Sequence, residues 1–185
     1  EAVSSSLYSP IHAFWLGVAL AQLGHRAEAI DAWREAKSSR YWAWLSVIEA
    51  KKGRNLSAYK MADRAMLTDP NDEQTQFVLG EVYFHLRDWQ HAVSSLSGAL
   101  KSSHEFQTWY YDALMLRGQA YLALSGNLNR AYSDFVQASR LRPLDPWPYI
   151  RLCQVFGLDH KSDKAIAACQ QATYLAKDSA FTHYY

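Results

Sequence analysis

The residues whose types could do chemistry are few. Glu81 and His85 stand four apart, a spacing that puts a carboxylate and an imidazole on one helix face. Such a pair could exchange a proton or ligate a metal. No second carboxylate or histidine follows at ligand spacing on that helix, and H-E-x-x-H is absent, so a solvated or hydrogen-bonded pair is the preferred reading. The seven histidines are otherwise scattered. There is no Gly-rich phosphate loop, no G-x-S-x-G and no paired-carboxylate constellation. The two cysteines, Cys153 and Cys169, make no metal framework and leave the redox compartment open. We expect no enzyme activity, no catalytic residue, no metal and no cofactor.

Charge narrows the partners. Lys and Arg number 19 against 18 Asp and Glu, so the basic stripe of a nucleic-acid binder is not expected. The longest nearly apolar stretch, Ala13 to Leu23, is broken by Gln22 and is far too short to span a bilayer. No targeting segment is visible. A soluble segment, cytoplasmic or bacterial extracytoplasmic, is expected, with no membrane insertion of its own.

The elements that carry these residues repeat. A small residue is followed, twelve or thirteen positions later, by the pattern A-x-x-x-Φ-x-x-A. The copies are Gly17 with Ala29, Trp33 and Ala36; Ser46 with Ala58, Ala62 and Ala65; Gly80 with Ala92, Leu96 and Ala99; Gly118 with Ala131, Phe135 and Ala138; and Cys153 with Ala165, Cys169 and Ala172. The leading alanines follow one another at 29, 34, 39 and 34 residues. A period near 34 means stacked two-helix units, helix A, turn, helix B. The fold class is therefore all-α, an α-α solenoid of about five repeats. A right-handed superhelix is expected, with repeats over 10–38, 39–72, 73–106, 107–145 and 146–179 in a single domain spanning 1–185. Small residues let the paired helices approach, and the bulky member of each triplet fills the space beyond. Pro70 and Pro143 follow helix B, and Pro10 and Pro146 open helix A.

These residues resemble a known family. Leu16-Gly17, Leu79-Gly80 with Tyr83, and Gly118 with Tyr121 are similar to the helix A signature of the tetratricopeptide repeat. Ala58 to Ala65 before Asp69-Pro70, and Ala131 to Ala138 before Pro143, are similar to its helix B end. The resemblance covers roughly residues 8–185. Glu49 departs from it where a large aromatic is usual, as do Ser46 and Cys153 in place of glycine.

The resemblance implies a concave surface lined mainly by helix A. Its candidate peptide-binding residues are Phe14, Val18, Val47, Phe77, Glu81, Phe84, His85, Met115, Gln119, Leu122, Ile150 and Gln154. Alanines and valines on that stripe are expected to pack between adjacent A helices. Phe77, Phe84, Met115 and Leu122 are expected to be exposed anchors. The Lys, Arg and Asn set that clamps acidic chaperone tails is lacking. The implied function is a protein-interaction scaffold for an apolar helix or extended peptide. The alternative is a structural or regulatory segment of a larger multidomain protein. Ala32-Trp33-Arg34-Glu35-Ala36 and the short second repeat resemble solenoids of bacterial envelope proteins, including glycan-related ones.

Three local expectations remain. The long third-to-fourth spacing predicts an extended, aromatic start to the fourth helix A over 102–111, its aromatics shielding the connection rather than forming a lip. Cys153 is expected opposite Ala165, with Cys169 a turn away, so buried free thiols are preferred to a disulfide. Residues 181–185 read as a truncated further helix in an excised piece of a longer protein. That exposed end invites self-association.

Overall fold

The computed structural model describes residues 10–36, 38–101, 109–124 and 127–182. Among the described residues there are ten helices and no strand. Two compact units divide the chain, Glu1–Leu86 and Arg87–Tyr185. The first holds α1 (Pro10–Gln22), α2 (Arg26–Glu35), α3 (Ser39–Lys51), α4 (Asn55–Thr68) and α5 (Glu73–His85). Here α1 packs on α2, α3 on α4, and α5 on α3. The second holds α6 (Trp89–Ala99), α7 (Tyr110–Ala123), α8 (Leu128–Leu141), α9 (Pro146–Leu158) and α10 (Ser162–Thr182). In it each helix packs on the next. Within the units α1–α2, α3–α4, α7–α8 and α9–α10 pair as sequence neighbours.

Three hairpin turns are built alike: the last turn of helix A closes with paired backbone bonds, His25 N–H to Leu20 and Gly24 N–H to Ala21 being one set. Arg54 to Glu49 with Gly53 to Ala50, and Lys161 to Phe156 with His160 to Gly157, are the others. This is the Schellman arrangement, which needs a left-handed residue just past the helix. Gly24 (φ 83°) and Gly53 (φ 71°) supply it cheaply, whereas Arg87 (φ 60°) and His160 (φ 55°) adopt it as non-glycine residues. Each of these four lies two residues before its helix B.

The alanine triplets form the core. Ala29, Ala58, Ala65, Ala92, Ala99, Ala131 and Ala138 are fully buried, with Ala172 nearly so. A Cβ added at Gly17 would stand 2.5 Å from the Trp33 indole, so the glycine is the seat of that ring. Ser46 uses its slightly larger side chain to donate to the Ala58 carbonyl at 2.8 Å.

The small residue of helix A therefore faces the Φ position, and this corrects the reading of the cysteines. Cys153 on α9 and Cys169 on α10 form a disulfide, with Cα atoms 5.2 Å apart. They occupy the same two repeat positions as Gly17 and Trp33. Neither is fully buried: Cys153 is half-buried and Cys169 exposed.

Two further expectations meet the structure differently. The fourth helix A begins at Tyr110, and residues 102–108 lie outside the described ones. Tyr110 and Tyr111 are buried, and the connection that the aromatics are expected to shield falls among the residues outside the described ones. Residues 181 and 182 continue α10 instead of opening a new helix, and 183–185 lie outside the described residues.

Candidate binding surface

Within the first unit, the helix A residues singled out by sequence lie on α1, α3 and α5. Val18 and Val47 are half-buried, and the side chain of Phe14 lies outside the described residues. Phe77, Glu81 and Phe84 are half-buried rather than exposed. His85 is exposed and sets its ring edge-on to Phe84, centroids 6.3 Å apart. Glu49, the departure from the repeat pattern, accepts from Lys52 at 3.4 Å and Arg54 at 3.5 Å. A hydrogen bond from Ser57 leads in holding its carboxyl below the ordinary value, against desolvation and with help from those two cations.

A cavity of about 290 Å³ opens beside the first hairpin turn, lined by Ala21, Gly24, Ala29, Trp33 and Trp44. The two indoles lie nearly parallel, 9° apart, with centroids 6.4 Å apart. Sequence reasoning missed Trp44. Its only signal was an aromatic three residues before Val47, near one turn along the same helix.

Within the second unit the sequence-derived residues divide. Met115 and Leu122 pack against the cluster of Tyr121, Phe135, Leu152 and Val155, so they serve the core. Ile150 and Gln154 are exposed, and Gln119 is half-buried. One residue that sequence reading passed over joins the polar members. Arg151 donates to Gln119 Oε1 at 2.9 Å and to Gln154 Oε1 at 3.1 Å. Gln119 in turn donates to the Met115 carbonyl at 3.1 Å, which fixes its amide. The Arg151 Nε atom is buried without a hydrogen-bond partner. Among the described residues no carboxylate pairs with this guanidinium.

Side chains about one repeat apart tie successive A helices within each unit. Arg40 makes a two-pronged contact with Asp72, at 3.0 and 2.9 Å, and Ser39 bonds Thr75 at 2.9 Å. Tyr111 donates to Asp145 at 2.8 Å. Both aspartates are also helix N-caps, Asp72 for α5 and Asp145 for α9. A period near 34, made of such ties on paired helices, is decisive when matched to solved structures. The chain resembles the structure "MamA MSR-1 C2" with a TM-score of 0.73, at 18% identity over 92% of this chain and 98% of that one. It resembles "MamA AMB-1 P212121" with a TM-score of 0.70, at 17% identity over 91% and 92%. The fold is that of the tetratricopeptide repeat. PilF of Pseudomonas aeruginosa shares it, with a TM-score of 0.66 at 16% identity over 89% of this chain and 75% of that one. No protein family matches the chain by sequence, and no curated protein does.

Electrostatics within this tetratricopeptide fold mostly serve packing. Burial pushes the Asp72 carboxyl up, but hydrogen bonds from Arg40 and Thr75 outweigh it and hold the group below its ordinary value. Burial, then the bond to Asp145, pushes the Tyr111 phenol well above its usual range. Arg117 on α7 grips the buried Asp134 of α8 at 2.9 and 2.7 Å and reaches Ser97 of α6 at 3.3 Å. Burial pushes the Asp134 carboxyl up, and the two guanidinium bonds oppose it. Among the described residues no three His, Cys, Asp or Glu side chains could together hold a metal ion. Among them, too, no helix is long and apolar enough to cross a membrane.

Proposed function

We propose that the chain is a protein-interaction scaffold that takes peptides against its helix A faces, apolar side chains and an acidic one together. The observation that carries this reading is Arg151. Its guanidinium is oriented by two amide oxygens that accept hydrogen bonds without neutralising its charge. A carboxylate from a partner would supply the missing counter-charge, in the planar geometry guanidinium favours. Exposed Ile150 on the same helix offers apolar area beside it. In this reading Gln119, Ile150 and Gln154 contact the peptide, with Met115 and Leu122 beneath them. In the first unit, Val18, Val47, Phe77, Glu81, Phe84 and His85 remain the proposed contacts. There the cavity between Trp33 and Trp44 has room for one large apolar side chain.

The test is selection of random displayed peptides on the whole chain, then fluorescence anisotropy with a selected peptide. Selected peptides should share an acidic residue flanked by apolar ones. Arg151→Gln should weaken binding about tenfold. Neutralising the acidic residue should weaken it equally, and the two losses should not add. Peptides without acidic residues, or an affinity indifferent to Arg151→Gln, would reject the reading.

A further inference from the structure

We propose that the outer face of α10 docks a second copy of this chain, in an antiparallel two-fold pairing centred on Gln170. Within its unit α10 packs on α9, burying Ala172 and Leu175 on its inner side. The opposite side carries Asp163, Ile166, Gln170, Tyr174 and Lys177 at helical spacings of three and four. Ile166 is 56% exposed and Tyr174 62% exposed, two large apolar groups on one bare stripe. The disulfide to Cys153 pins this helix to α9, so the face is formed before any partner arrives.

The order of residues along the stripe selects the occupant. Asp163 lies seven residues before Gln170 and Lys177 seven after it. Ile166 lies four before and Tyr174 four after. In an antiparallel two-fold pairing centred on Gln170, a residue before the centre meets its mirror position after the centre. Asp163 would meet Lys177 of the partner subunit, and Ile166 would meet Tyr174 of the partner subunit. Each contact occurs twice. A parallel pairing in register would instead set like charges together, so the antiparallel one is preferred. Among the described residues neither Asp163 nor Lys177 is spent on an ion pair within its own chain. A single-helix face is narrow, so the dimer should dissociate on dilution.

Sedimentation equilibrium of the whole chain, disulfide intact, tests this. Wild type should show a reversible monomer–dimer equilibrium. Lys177→Glu should weaken dimerisation about tenfold, because both ends then oppose carboxylates. Asp163→Lys should do the same with opposed ammonium groups. The double variant Asp163→Lys/Lys177→Glu should return to within about threefold of wild type, since the pairs re-form with reversed sign. Ile166→Arg should also disperse the dimer, with circular dichroism showing unchanged helix content in every variant. A wild-type chain monomeric up to about 1 mM would overturn the proposal. So would a monomer whose α10 face is protected from hydrogen exchange, which would mean another segment of the chain covers it. A dimer indifferent to the single charge changes, or a double variant as weak as the singles, would overturn it too.

Discussion

Gly118 lies directly beneath the ring of Phe135: a Cβ on the glycine would stand 2.6 Å from Phe135 Cε1 and 2.7 Å from Cζ. The ring is fully buried, so it has nowhere to retreat. Gly118→Ala should therefore destabilise the second unit by about 1–3 kcal/mol through overpacking. Combining it with Phe135→Leu should relieve part of that loss, although Phe135→Leu alone also destabilises. Urea unfolding of the four proteins reads the coupling. Additive losses would mean the two residues do not touch.

The disulfide joins the equivalent pair of positions in the fifth repeat, Cys153 and Cys169, 16 residues apart. A loop of this size is worth about 3 kcal/mol against the unfolded chain. Reduction should lower the melting temperature of the second unit, and Cys153→Ser/Cys169→Ser should match the reduced protein. Thiol titration of the oxidised, denatured chain should find no free sulfhydryl. Two titratable thiols under those conditions would refute the pairing.

Asp72 ties α3 to α5 and caps α5 at once. Its carboxyl is held below its ordinary value in the folded chain, so the folded state favours the ionised form more than the unfolded state does. The stability it contributes is complete above its unfolded value, 3.8, and is lost as pH falls through the lower folded value. Asp72→Asn should therefore cost about 1–2 kcal/mol at neutral pH, and the gap to wild type should close in strong acid. Melting curves of both proteins from pH 7 downward check the sign. A gap that widens with acid would contradict it.

His160 holds the left-handed turn position that Gly24 and Gly53 fill in other hairpins. A non-glycine residue there is strained by about 1–2 kcal/mol, and glycine's greater freedom in the unfolded chain offsets roughly half of that. His160→Gly should thus raise stability by roughly 0.5–1 kcal/mol. Calorimetry of the α9–α10 transition measures it, and a lower melting temperature would show that the imidazole makes a compensating contact.

The repeat, its two helices and the positions of its small residues were legible in the sequence. They arise from spacings of three, four and twelve residues that any one hairpin must satisfy by itself. Ala29, Ala58, Ala92 and Ala131 are buried because a helix face repeats every turn, whatever surrounds it. The tertiary structure alone decided what meets across a repeat or across a hairpin. The sequence reading set Cys153 opposite Ala165, but the crossing of paired helices sets the small residue against Φ, and the thiols join. Phe77 and Phe84 share the face that the sequence reading assigned to the groove, yet they are half-buried instead of exposed. Arg151 lies 32 residues from Gln119, and no local pattern connects them. Stacking of whole repeats brings those side chains within hydrogen-bond reach, and a sequence period records the stacking without recording which side chains it joins.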